Sequence, residues 1–405
     1  FGSSMSARGS STFPSHVSHM ENGSNLVQDP AGAPRQVVSS CGDLCEKHVP
    51  QHLLIMSDDG KDSDDELAKL LLKFLDQEQL ALCKGFIAAL HPAPMRARLA
   101  KGTLKSLGLD VEVGIGSSMG NSGSDQYEFD VNYLADDHEV LPSGVQLFVD
   151  QLGQAGDRLF TLVVLCGMRD AWDLLRDNTE LFRRKVAQVV VMGGVEVIDQ
   201  EPARDDGGYL IPDSAANNAF DMEAARHFYR EVQRHSIPLR IVSRWAAYAT
   251  KLPLSLFDRM AETGHPVATR LQKSQQKALQ HLWRRSNMPL ESRGREGLPP
   301  RCTKEWFSIV FLGGKGLDRS AEDSIWDLAG TFQPYDCIAL LAALPGICER
   351  YLDPHVVEVE GLHGTASHEI MGLSETVHGV LDSGALRTWL EAAMMRGVTM
   401  GRPIH

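Results

Sequence analysis

The sequence predicts an α/β domain with a mainly parallel central sheet and flanking helices. Three observations carry this reading. Apolar runs of strand length recur at 53–56, 80–90, 159–167, 186–194 and 239–244. Segments with helical apolar spacing separate them, and this alternation of strand and helix marks a parallel sheet covered on both faces. Several runs also end in Gly or Asp, where an open α/β sheet turns its chain and gathers its ligands.

Taken in order, residues 1–50 are rich in Ser, Gly, Pro and His without periodicity, and read as a flexible extension that buries too little to order itself. Residues 51–405 read as one domain. A first strand, LLIM, enters a turn crowded with Asp and a Gly, and a helix follows over 65–76. Leu80–Leu90 is the second strand. RARLAKGTLKSLGL has helical spacing and closes on Gly108 as a C-cap, and VEVGIG is a short third strand. The polar, Gly- and Asp-rich stretch 117–142 predicts a surface loop. LFTLVVLCG (159–167) and VAQVVVMGG (186–194) predict buried strands, with a helix beginning at DAWDLLRDN between them.

An irregular loop over 195–213 precedes an amphipathic helix at 221–235 and the strand LRIVSR. A helical insertion near 253–300 carries the basic, Gln-rich run LQKSQQKALQHLWRRS, read as a solvated face and a contact surface. SIWDLAGTFQPYDCIALLAALPG holds a loop-to-helix junction, and the strand-like HVVEVEGL leads to a final helix near 383–396. No internal repeat is visible.

The bulk numbers exclude some classes. A chain of 405 residues, 43% hydrophobic, has enough apolar side chain for a large core. A formal charge of −13 argues against a nucleic-acid backbone as partner, since phosphates want a cationic face. No apolar run approaches the roughly 20 residues of a membrane span. Seven scattered cysteines, an odd number, favour free thiols, Cys41 and Cys45 among them, and a reducing compartment. A cytoplasmic protein is the expectation.

The chemistry concentrates in SDDGKDSDDELA. Asp58, Asp59, Asp62, Asp64 and Asp65 fall within eight positions. One or two would be ordinary turn or N-cap residues; five together repel one another unless solvent or a cation neutralises them. Oxygen-only donors suit a hard cation, Ca²⁺ or Mg²⁺. An EF-hand is excluded, because counting from Asp58 places Ser63 where that loop needs Gly and Lys69 where it needs a bidentate Glu.

SDDGKDSDDELA resembles the N-terminal signature of the inosine-uridine preferring nucleoside hydrolases, in a longer variant with an extra residue before the final Asp pair. LCGMRDAWDLL, VVVMGG (189–194), NNAFDMEAA (217–225) and PYDCIALLAAL (334–344) resemble further segments of that family in the same order, over about residues 52–395. The resemblance implies calcium-dependent hydrolysis of the N-glycosidic bond of ribonucleosides by a homo-oligomer, with Asp58 as metal-bound general base. It implies Asp65 and Asp336 as carboxylate ligands and Arg169 as a ligand through its backbone carbonyl. Asp62 and Asp64 compete for the ribose-binding position, and both remain open to the metal. Asn217, Asn218 and Tyr335 fall at substrate-side positions, whereas Asp221 reads as a helix N-cap.

Departures are as informative. Ala215 stands where the family has a Glu that grips the ribose, and Ala89 where an Asn is common. Tyr335 replaces a leaving-group His, and a phenol, with an ordinary pKa near 10, is a poorer proton source near neutrality. His91, His363 and His368 are the available substitutes. The alternative expectation is therefore a weak or inactive relative that serves as a binding or assembly subunit.

Overall fold

The structure, a computed structural model, describes residues 49–60, 63–119, 126–295, 298 and 300–399. Nearly all of the expected extension, including Cys41 and Cys45, and also Asp62, lie outside the described residues. The described cysteines, Cys83, Cys166, Cys302, Cys337 and Cys348, are free thiols. Among the described residues no helix is long and apolar enough to cross a membrane.

The first half alternates strand and helix, with α3 and α5 additional to the helices expected: β1 (Gln51–Ser57), α1 (Asp64–Gln77), β2 (Ala81–Ala88), α2 (Ala93–Ser106), β3 (Val113–Ile115), α3 (Gly144–Gln154), β4 (Phe160–Val164), α4 (Arg169–Asp177), α5 (Thr179–Lys185) and β5 (Val186–Met192). The loop expected over 195–213 contains a small ribbon, β6 (Val197–Ile198) and β7 (Glu201–Pro202). Next come α6 (Ala216–Phe220), α7 (Met222–Arg234), β8 (Leu239–Val242) and α8 (Arg244–Ala249). The helical segment then holds β9 (Leu252–Pro253), α9 (Ser255–Glu262), α10 (Pro266–Ser286), α11 (Lys304–Leu312) and β10 (Thr331–Phe332). β9 pairs with β10, so the insertion runs past 300 and is closed at its base by a two-stranded ribbon. The chain ends with α12 (Tyr335–Ala342), α13 (Pro345–Tyr351), β11 (His355–Gly361), β12 (Gly364–Met371) and α14 (Ser383–Thr399).

Eight strands form the central sheet in the order β11-β12-β8-β5-β4-β1-β2-β3. All neighbours are parallel except the outer pair, where β11 runs antiparallel to β12. β1 lies between β2 and β4, and Leu53, Leu54 and Met56 are completely buried, as a strand covered on both faces requires. Helices α1, α12 and α14 pack together on one side. On the other, Phe148 of α3, Leu174 of α4 and Phe228 of α7 join Leu54, Leu162 and Val189 of the sheet in one apolar cluster. Burying such side chains contributes roughly 1.5–3 kcal/mol each.

The basic run of α10 divides by face: Lys273 and Lys277 are exposed, while Leu271 and Trp283 are buried, as is Arg270 just before the run. The solvated reading therefore holds for one face of this helix only.

His368 on β12 is a core residue. It is completely buried, and its Nδ1 accepts the Leu239 N–H at 3.1 Å. Burial, foremost, and then Arg204 bring its pKa down from 6.5 to about 4. The unfolded chain therefore takes up the proton more readily than the folded one. This contribution is complete above pH 6.5 and is lost as pH falls towards 4, amounting to ~2–3 kcal/mol by about pH 4.5. Comparing denaturant midpoints at neutral and acid pH checks this; a His368→Asn chain, which retains an acceptor, is expected to lack that component of acid sensitivity.

Candidate functional site

The C-terminal ends of β1, β4, β5 and β8 open on a common cavity of about 320 Å³. β1 contributes Asp58, β4 leads to Leu165, β5 ends in Met192 and Gly193, and β8 passes into Arg244. Asp64 and Asp65 enter from the first turn of α1, Asp336 and Tyr335 from the first turn of α12. Asp213 and Ala215 come from the segment leading into α6, Asn217 from α6 itself, and Tyr248 from α8.

Carboxylate oxygens of Asp64, Asp65 and Asp336 all lie within 4.8 Å of one another. Asp65 and Asp336 are 2% and 4% exposed. Asp58 is 6% exposed, and its backbone N–H donates to Asp65 Oδ1 at 3.1 Å, which locks the end of β1 to the start of α1. Burial first, then the carboxylates of Asp58 and Asp59, push Asp65 well above the usual carboxylate range, in spite of Lys69. Asp336 is pushed the same way, by burial and then by Asp64, Asp65 and Asp58. Alone, such a group holds protons; a divalent cation displaces them and removes the repulsion. The oxygen-only donor set therefore fits a hard cation.

Asp59 has a different task. It is completely buried, accepts from Ser57 Oγ at 2.5 Å and pairs with the Lys69 ammonium one turn into α1. One carboxylate of the acidic run is thus neutralised by a lysine.

The structure separates the other sequence-derived residues. Asn217 lines the cavity, and its Nδ2 donates to the carbonyls of Leu165 at 2.9 Å and Met192 at 3.1 Å, bridging β4 and β5. Asn218 does not line it; fully buried, it ties Gly194 to Asp213. Asp221 caps α7 by accepting from Ala224 N–H, and also holds Arg169 Nη2 at 2.6 Å. Arg169 begins α4 and is not among the cavity residues. A Cβ on Gly193 would fall 2.7 Å from Tyr229 Oη, and one on Gly194 2.4 Å from Asp213 Oδ2, so close approach requires glycine at both. Ala215 lines the cavity, whereas Ala89 is buried in the core and His91 is exposed. His363, in the turn between β11 and β12, stacks on His235.

Sequence reading missed Arg244, Tyr248 and Asp213. Tyr248 packs between Trp245 and Tyr335, with ring centroids 5.7 and 6.1 Å away, and Arg244 lies over the Trp245 ring. Arg244 brings a cation to a cavity whose other charged lining residues are carboxylates. The available signal was position: SRWAAYA directly follows a strand, at the end where α/β sheets bind ligands.

No protein-family model matches the chain, and no curated protein matches it. Solved structures do. The type III effector protein XopQ, solved in complex with adenosine diphosphate ribose, is 29% identical over 87% of this chain and 95% of its own, with a TM-score of 0.74. The effector protein XOO4466 is 28% identical over the same shares, with a TM-score of 0.73. A purine-preferring ribonucleoside hydrolase from Gardnerella vaginalis is similar in fold alone, at 14% identity and a TM-score of 0.53, over 87% of this chain and all of that one. The inosine-uridine preferring branch is not singled out among these likenesses; the chain has the broader nucleoside hydrolase-like α/β fold.

Proposed function

We propose that the cavity is the active site of a calcium-dependent N-ribohydrolase, which cleaves the bond between a ribose and its base. One observation carries this reading: Asp64 and Asp65, near the start of the chain, meet Asp336, near its end, within 4.8 Å. With Asp58 they form the donor set that would hold the cation. When bound, the cation supplies a water of lowered pKa and a grip on sugar hydroxyls.

The chain's own groups do the rest. Asp58 takes the proton of the attacking water. Both N–H groups of Asn217 are committed to backbone carbonyls, which leaves its Oδ1 to accept from a ribose hydroxyl. Tyr335 offers a hydrogen bond to the departing base, and Tyr248 presents an aromatic wall to it. Arg244 adds affinity for phosphate, so ribosyl compounds bearing a 5′ phosphate, ADP-ribose among them, belong to the ligand class; the XopQ complex supports this extension.

A second reading, a ribosyl-binding protein without turnover, is favoured by the Ala215 methyl in the cavity where the resemblance expects a carboxylate. Ribose release from inosine, uridine and adenosine, with calcium and with chelator, separates the two. Release no greater than that of a chain with Asp58 and Asp65 both replaced by Ala would exclude the hydrolase and leave the binding protein. Arg244→Ala is expected to weaken ADP-ribose binding by about 10- to 100-fold, the worth of a charge-assisted hydrogen bond, and to leave adenosine binding nearly unchanged. Calorimetric titration of both ligands measures the difference.

A further inference from the structure

We propose that Arg96, together with Glu128, Arg270 and Glu66, is a buried positioning frame that fixes the acidic turn in its cation-binding shape; this assignment rests on the cation site proposed above. Arg96 sits in α2 and is completely buried. Its Nη1 donates to the carbonyls of Asp59 at 2.5 Å and Asp58 at 3.1 Å. Its Nε and Nη2 donate to the His91 carbonyl at 3.2 and 3.1 Å, and Nη2 pairs with Glu128 at 3.2 Å. Four of these contacts are hydrogen bonds to backbone carbonyls and the fifth is an ion pair, so all three guanidinium nitrogens are engaged.

The charges continue in alternation. Arg270 Nη2 donates to the Glu128 carbonyl at 2.7 Å, and the same guanidinium pairs with Glu66, which also accepts from Thr103 at 3.2 Å. Glu66 is the residue after Asp65. The chain of charges therefore grips the backbone at the start of the acidic turn and the helix residue just after its end. Gly60, at φ +94°, completes the fit: a Cβ there would meet Leu99 at 3.0 Å and Phe129 at 3.3 Å. Ser63 Oγ donates to Gln275 of α10, a second tie from the turn to the insertion.

Energetics point to geometry as the purpose. Four buried charges rarely stabilise a fold more than apolar residues of the same volume would. Carboxylates that converge on one another repel, so their backbone spreads unless something holds it. Arginine bonded to the backbone carbonyls of Asp58 and Asp59 does this through the main chain of the turn. The insertion, through Arg270, thereby becomes part of the site's support.

The test uses the full chain and calcium, titrated calorimetrically. Arg96→Lys keeps the charge but offers three donors for five contacts. It is expected to weaken calcium binding by about 10- to 100-fold, the range for groups that orient metal ligands, with the chelated chain's far-UV dichroism unchanged. Glu128→Gln, which keeps the shape and removes the counter-charge, is expected to weaken it in the same direction. Wild-type calcium affinity in folded Arg96→Lys overturns the frame; should Arg96→Lys fail to fold, wild-type affinity in Glu128→Gln overturns it. Absence of calcium binding in the unaltered chain is a different failure: it removes the cation site, and the frame with it.

Discussion

Replacing Asp336 by Asn is expected to reduce calcium-dependent ribose release at least about a thousandfold, since several kcal/mol of charge stabilisation are lost with the ligand. Asp336 is the partner that brings the late part of the chain to Asp64 and Asp65, and it is 4% exposed, so water cannot substitute for it cheaply. The same substitution separates binding from folding. In chelator the variant is expected to be at least as stable as the unaltered chain, because a carboxylate has left a buried, mutually repelling group. Calcium at a hundred times its dissociation constant is expected to stabilise the unaltered chain by about 2.7 kcal/mol and the variant hardly at all. Thermal unfolding with and without calcium reads both effects. A variant still stabilised by calcium would place the cation elsewhere.

Gly397→Ala is expected to destabilise the fold by about 3 kcal/mol or more. Gly397 lies in α14, and a Cβ there would fall 2.1 Å from the Leu70 carbonyl oxygen of α1, backbone against backbone. The oxygen met is backbone, so relief requires one helix to move off the other, at the close seat of α14 on the helix that carries Asp64 and Asp65. Alanine's better helix propensity, worth ~1 kcal/mol, is too small to reverse the sign. Gly153 in α3 is the control, because nothing lies within 4 Å of a Cβ built there. Gly153→Ala is expected to stabilise by roughly 0.5–1 kcal/mol, propensity acting alone. Urea midpoints of the two variants, moving in opposite directions, check the pair.

The central strands were legible because β1, β4 and β5 are covered on both faces and so read as continuous apolar runs. β12 was not. Its GTASHEIM carries a His and a Glu and alternates in burial, and its place beside β8 is set by long-range pairing. KEWFSIVFL, which becomes α11, is apolar on most sides and offers no helical stripe to read. The acidic turn stood out because so many carboxylates have no ordinary turn explanation, yet the pattern did not distinguish Asp59 from the rest. Its pairing with Lys69 depends on the turn folding back over α1. Asn217 and Asn218 look alike in sequence, but only Asn217 reaches the cavity, because the short helix α6 turns its neighbour inward. Arg270 stands one residue before the run read as solvated and is the buried partner of Glu66, a distant residue that no local periodicity connects to it.

From β1 the chain runs outward through β2 to β3 and then returns across the sheet to β4 on the opposite flank. Connections leaving β1 and β4 therefore depart in opposite directions, and a crevice opens between them by topology alone. A hollow of that origin exists before any visitor arrives. Capture then demands little new ordering of backbone, and the entropy lost when mobile loops must fold around a guest is largely avoided.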